Sequence, residues 1–216
     1  MQQWNHLEEI NNMNSMYLYG ASGHAKVIID ILKSKGVEIL GLFDDNPNIK
    51  SLLNYPVVGN YSPGILKNNS LIITIGVNAT RQKIVSSLPS DIIYGVAIDA
   101  SALISDSARV GCGTVVMQGA VIQSSTIIGR HCIINTQASV DHDCVIEDYV
   151  HISPNSCLCG GVTIGEGTQV GAGSVIVPGI KVGKWSVVGA GSVVLRDFPD
   201  NVLVFGNPAK IVKNIF

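Results

Sequence analysis

From Ile104 an aliphatic residue returns at every sixth position: Ile104, Val110, Val116, Ile122, Ile128, Ile134, Val140, Ile146, Ile152, Leu158, Ile164, Val170, Ile176, Val182, Val188 and Val194. All but Leu158 are Ile or Val. Neither the two-residue alternation of a half-buried strand nor the 3.6-residue period of a helix produces this spacing. The position four further on is small or β-branched, as at Ala108, Thr114, Ala120, Thr126, Cys132 and Ala138. The position just after the aliphatic is often Gly, Asn, Asp or Glu. Each hexad therefore reads as a short β-branched strand that points one large side chain inward. The next positions turn a corner, where Gly or Asn accepts positive φ at little cost. The small residue fits near that corner, where bulk would clash. Three strands and three corners close one triangular coil, so residues three hexads apart stack and backbone bonds run from coil to coil. The register predicts an all-β parallel β-helix of about five coils over residues 97–200, with 201–216 as a tail. No long loop interrupts it, so any site on it must form without such an arm.

Composition narrows what such a solenoid can do. The chain is 46% hydrophobic and 14% charged, against roughly 25% charged in an average soluble domain. Much of its surface must be covered, and association of copies would cover it. A formal net charge of −2 and the absence of a basic run exclude a nucleic-acid binder. No apolar stretch reaches the ~20 residues needed to span a bilayer. The first fifteen residues have neither a basic n-region nor an apolar h-region, so no leader is expected. They read as a mobile extension, with His6 inert. The five cysteines (Cys112, Cys132, Cys144, Cys157 and Cys159) form no CxxC pair. They are expected to be reduced thiols in a cytoplasmic protein without a metal site.

Residues 16–96 follow a different pattern. Strands are predicted at 16–20, 37–43 and 71–75, and helices at 25–32 and 78–87. Residues 92–98 lead into the solenoid. This order predicts a small α/β module of the Rossmann type. Gly20-Ala21-Ser22-Gly23 joins the first strand to the first helix. Such a turn either cradles a phosphate at the helix start or is simply tight. Asp44 and Asp45 end the second strand, where an acid can accept from a ribose hydroxyl or a base. That favours nucleotide binding. A dinucleotide would need a second half-fold, which the chain lacks.

Two acids flank His142, in Asp141-His142-Asp143. A histidine is neutral near pH 7 and can still take a proton, and a neighbouring carboxylate fixes its tautomer. Either acid could hold the ring. Gly160 lies three hexads after His142, so its N–H is the candidate oxyanion donor. His131, at a corner with no acid beside it, reads as solvated.

The two halves together resemble the hexapeptide-repeat sugar acyltransferases of sialic-acid and bacillosamine pathways. The closest likeness is to the UDP-4-amino-sugar N-acetyltransferases, with the sialic-acid O-acetyltransferases as near relatives. The matching stretches are Gly20-Ala21-Ser22-Gly23-His24-Ala25-Lys26, Phe43-Asp44-Asp45-Asn46, Ile75-Gly76-Val77-Asn78-Ala79-Thr80-Arg81, Asn135-Thr136, Val140-Asp141-His142-Asp143-Cys144 and Gly206-Asn207-Pro208-Ala209-Lys210. The resemblance implies a left-handed β-helix, a homotrimer, and transfer of acetyl from acetyl-CoA to the 4-amino group of a UDP-amino-sugar. O-acetylation of a sialic acid is the alternative. It implies His142 as base, with Asp143 where the family commonly has glutamate. It puts Asn135 near the acceptor amine and His151 near the thioester. Gly160, Ala172 and Ala190 would line the pantetheine arm. Gly20, Ser22, Gly23, His24, Lys26, Asp44, Asp45 and Asn78 would meet the nucleotide sugar.

Overall fold

The structure is a computed structural model that describes residues 15–67 and 69–215. The extension expected over residues 1–15, with His6, lies outside the described residues except for Ser15.

The N-terminal module is a three-stranded parallel sheet. Strand β1 (Ser15–Tyr19) lies between β2 (Glu38–Phe43) and β5 (Ser70–Ile73). Helix α1 (Gly23–Ser34) connects β1 to β2, and a short hairpin of β3 (Ser51–Leu52) and β4 (Tyr55–Pro56) precedes β5. Helix α2 (Asn78–Ser87) follows β5. Alternation along β1 divides its side chains between two sides. Met16 and Leu18 pack with α1, while Tyr17 and Tyr19 pack near Phe43 and α2.

The rest is a β-helix of two-residue strands, from Ala97–Ile98 to Val193–Val194. Partners are parallel and eighteen residues apart, as Ile133 pairs with His151 and Ile134 with Ile152. A first face runs from Leu103–Ile104 to Val193–Val194, and a second from Arg109–Val110 to Lys181–Val182. A third runs from Ala97–Ile98 to Val187–Val188. The first face has six strands, so there are about six coils rather than five. The sequence count began at Ile104, but Ile98 already keeps the register. The tail does not simply leave the repeat. Val202–Gly206 extends the third face in parallel beside Val187–Val188, and Ala209–Asn214 folds back antiparallel.

The inward aliphatics form one continuous core, with Val140, Ile146, Ile152 and Ile164 wholly buried. Each contributes about 1.5–3 kcal/mol by leaving water. The corner geometry differs from the expectation in one respect. Positive φ falls on the third corner position, as at His131 (54°), Asp143 (58°) and Tyr149 (61°), rather than on the residue after the aliphatic. Glycine is needed at that earlier place for closeness. A Cβ on Gly129 would lie 2.7 Å from backbone of the next coil.

The module is fused to the solenoid rather than tethered. Helix α1 buries Ala25, Ile28 and Ile29 in a cluster that includes Ala97, Val115, Met117 and Ile133 from the third face and its edge.

Candidate active site

His142 stands at the edge between the first and second faces, second in the corner after Val140. Its Nδ1 is 2.7 Å from Asp143 Oδ2, while Asp141 Oδ1 accepts the His142 backbone N–H at 2.8 Å. The two acids therefore divide the work: Asp143 holds the ring and Asp141 holds its backbone. With Nδ1–H donating to Asp143, Nε2 carries the lone pair. The Asp143 hydrogen bond, and then the Asp141 charge, raise the His142 pKa above the usual histidine value. The ring is exposed and lies over the bare backbone of the next coil. A Cβ on Gly160 would sit 2.6 Å from Cε1 and 2.7 Å from Nε2. Cys159 N–H donates to Ile176 O and Gly161 N–H to His142 O. Among the described residues no acceptor takes the Gly160 N–H between them.

The Gly20–Lys26 segment opens α1 at the carboxyl end of the sheet. Gly20 has φ of 112°, and a Cβ there would meet Ile75 Cδ1 at 2.5 Å. Both the conformation and the closeness require glycine. Ser22 caps α1 without a side-chain bond and no acid lies in its first turn. Ser22, Gly23 and Lys26 are exposed. The free N–H groups and the helix dipole make this end ready for an anion. Asp44 is committed to the turn: Oδ2 accepts the Ala21 N–H at 2.7 Å and Oδ1 the Asn46 N–H at 2.9 Å. The exposed Asp45 accepts from the Tyr19 hydroxyl at 2.8 Å. Burial, reinforced by Asp45, pushes Tyr19 up to about 12.

Asn135 and His151 lie where the module meets the third face. Asn135 Oδ1 accepts the Thr136 N–H at 2.8 Å, and its Nδ2 lies 3.0 Å from His151 Nε2. His24, from the start of α1, comes near enough to His151 for their charges to oppose. Burial, then Arg81, lowers His24 to about 4; burial, Arg81 and His24 lower His151 to about 3. Both are neutral at pH 7.

Asn78 was expected at the nucleotide sugar. Its amide meets the solenoid: Nδ2 donates to Gly167 O at 3.0 Å, and Oδ1 accepts from Arg81 at 2.8 Å. The solvated reading of His131 is overturned. His131 is 2% exposed, because the module covers its corner. Its ring stacks on Tyr149 at 5.4 Å and meets Tyr94 edge-on at 4.5 Å. Burial, then Arg81, lowers it to about 4.

The expected site residues thus fall into two groups. Asn135, Ala172 and Ala190 follow third-face strands and share one edge, with the module and His151 beside them. Ala172 and Ala190 are exposed there and present no bulk. His142, Asp143 and Gly160 follow first-face strands and share the next edge. The first face separates the groups, and its outward residues include Leu103 (67% exposed), Val121, Val175 and Val193. Among the described residues no group of three or more His, Cys, Asp or Glu side chains could hold a metal ion. The five cysteines are free thiols.

A nucleotide-type module fused to a hexapeptide solenoid, with an acid-held histidine at a coil edge, defines a class of sugar acyltransferases. Residues 15–88 match the PglD N-terminal domain, and residues 143–177 and 161–196 match the bacterial transferase hexapeptide (six repeats). Perosamine N-acetyltransferase from Caulobacter crescentus, solved as a histidine variant with CoA and GDP-perosamine, is 38% identical. The match covers 93% of this chain and 97% of that one, with a TM-score of 0.87. The acetyltransferase domain of PglB from Neisseria gonorrhoeae is 32% identical over 92% of this chain and 100% of that one, with a TM-score of 0.85. WeeI from Acinetobacter baumannii is 27% identical over 92% and 100%, with a TM-score of 0.82. The chain belongs to this family of hexapeptide-repeat sugar N-acetyltransferases with a PglD-type N-terminal domain. Among curated proteins, the uncharacterized protein L142 of Acanthamoeba polyphaga mimivirus is 37% identical over 103 residues. The chain spans about a fifth of that relative's length, 21%.

Proposed function

We propose that this protein transfers an acetyl group from acetyl-CoA to the 4-amino group of a nucleotide-linked amino sugar. The observation that carries the proposal is the His142–Asp143 pair, 2.7 Å apart, with the ring set over the bare Gly160 backbone. As the amine adds to the thioester carbonyl carbon, its proton passes to His142 Nε2. The Gly160 N–H faces the developing oxyanion. The C–S bond then breaks, and the CoA thiolate leaves and takes a proton. No cysteine or metal ion takes part.

The nucleotide sugar rests on the α1 N-terminus, with its pyrophosphate at Gly20, Ser22, Gly23 and Lys26. Asp45 faces the ribose or base, and Asp44 holds the turn. A UDP-amino-sugar is the preferred acceptor; a GDP-amino-sugar comes next, because the Caulobacter relative was solved with GDP-perosamine. The pantetheine arm lies along Ala172 and Ala190, with His151 nearby. Since those residues and His142 occupy different edges, a complete site takes His142 from one copy and the coenzyme wall from another. The apolar first face would be covered in the same step. We read the assembly as a cytoplasmic homotrimer. The solenoid hand implied by the resemblance, left-handed, belongs to this reading.

Thermal-shift measurements with UDP-sugars, GDP-sugars, CMP-sialic acid and free sugars test the acceptor. Stabilisation by a nucleotide sugar and none by the free sugar is expected. Stabilisation by free sialic acid alone would favour O-acetylation and sink the proposal.

The acid limb of the pH profile gives a second test. The base works only when neutral, and its pKa is raised, so kcat/KM falls as pH drops through that raised value. Asp143→Asn removes the largest cause, so the acid limb is expected to move to lower pH while the maximum rate drops. An unmoved limb would show that Asp143 does not hold the catalytic ring.

A further inference from the structure

The turn after β1 is held from both sides. Thr74 follows β5 and is wholly buried. Its N–H donates to Tyr19 O at 2.8 Å, which leaves the hydroxyl for the next carbonyl: Oγ1 is 2.6 Å from Gly20 O and 2.9 Å from Tyr19 O. One hydroxyl has one proton, and it goes to the shorter contact at Gly20. The other end of the same peptide is the Ala21 N–H, which donates to Asp44 Oδ2 at 2.7 Å. Asp44 follows β2. The two strands beside β1 therefore grip one peptide plane, between Gly20 and Ala21, by its carbonyl and by its N–H. The grip has a physical reason. Gly20, with φ of 112°, sits where the backbone is freest to turn over. Beyond it Ser22 and Gly23 are exposed and Ser22 makes no side-chain cap, so the orientation of this peptide sets where the first N–H groups of α1 point.

The grip is anchored outside the module as well. Ile75 lies against Gly20, where a Cβ would meet its Cδ1 at 2.5 Å. Ile75 O accepts from Arg81 Nη1 at 2.8 Å, and the same buried guanidinium donates from Nε to His131 O and from Nη2 to Tyr149 O, each at 2.8 Å. The end of β5 is therefore fixed to two corners of the solenoid. We propose that Thr74 is a positioning residue for the acceptor: its hydroxyl, working with Asp44, fixes the Gly20–Ala21 peptide and so aims the Ser22 and Gly23 N–H groups at the pyrophosphate of the nucleotide sugar. The aim at a ligand rests on the nucleotide-sugar reading above; the fixing of the peptide does not.

The test uses the full-length protein with Thr74→Val, which keeps the shape and loses the hydroxyl, and Thr74→Ser, which keeps the hydroxyl. Amide hydrogen exchange is read at Ala21, with the Gly20 N–H, which donates to Phe43 O at 2.8 Å, as the reference. In Thr74→Val the Ala21 amide is expected to exchange about tenfold or more faster relative to Gly20, and in Thr74→Ser at the wild-type ratio. By calorimetry, Thr74→Val is expected to bind the nucleoside diphosphate the wild type takes, UDP or GDP, about tenfold more weakly. Its acetyl-CoA affinity is expected to be unchanged, and Thr74→Ser to bind both ligands as the wild type does. An unchanged Ala21 ratio in folded Thr74→Val would overturn the proposal. So would wild-type nucleotide affinity in a variant whose Ala21 amide is released, or an equal loss of acetyl-CoA affinity, which would mark a general loss of structure. If Thr74→Val does not fold, the wild-type Thr74 hydroxyl proton decides: a slowly exchanging proton bonded to the Gly20 carbonyl supports the proposal, and one bonded to Tyr19 alone overturns it. A wild type that binds neither UDP nor GDP would overturn the nucleotide reading and the aim at a ligand with it, while the Ala21 ratio still decides whether Thr74 holds the peptide.

Discussion

His142→Ala is expected to lower kcat by at least about a hundredfold and to leave acetyl-CoA binding close to wild type. The argument is geometric. Nε2 is the ring atom left free once Nδ1 is held by Asp143, and the ring lies over the bare Gly160 backbone. The ring is exposed and takes no part in the core. Its removal should therefore cost chemistry rather than folding. A single-turnover measurement separates the two. If acetyl transfer from bound acetyl-CoA proceeds near the wild-type rate in the variant, His142 is not the base.

The second large effect is a gain. His142→Ala removes the proposed base, and Ala172→Trp places bulk on the proposed coenzyme edge, where Ala172 is exposed. Either variant alone is expected to be nearly inactive. Co-expressed in equal amounts, they should regain roughly a quarter of wild-type activity, since random assembly puts an intact base beside an intact wall in about one interface of four. Mixed samples no more active than the sum of their parents would refute a site shared between copies. That result would also leave the apolar first face without its proposed partner.

The solenoid was legible because every hexad repeats one physical demand, an inward aliphatic followed by a tight corner. The corners show where such reading stops. His131 and His142 are both corner histidines, and sequence distinguishes them only by their neighbours. The structure separates them by what lies outside: the module covers His131, and among the described residues nothing covers His142. Which face the module would rest on is a long-range fact that no local pattern records. The same holds for Arg81, which in sequence is one cation in a polar helix, and for Asn78, whose partners lie 89 and 90 residues away. Asp44 and Asp45 were readable as a pair at a strand end. Their division of labour depends on the Ala21 N–H and the Tyr19 hydroxyl, which only the folded sheet brings near.

Helix α1 is wall to both halves at once, with its apolar side chains shared between the sheet and the third face. A module built in this way has no hinge on which to swing. On the acetyl-transfer reading, the gap between the phosphate cradle and the thioester is then a fixed ruler. An acceptor is measured by its length before its functional groups are read, so a nucleotide monophosphate sugar would fall short of the coenzyme even when its sugar carried the right amine.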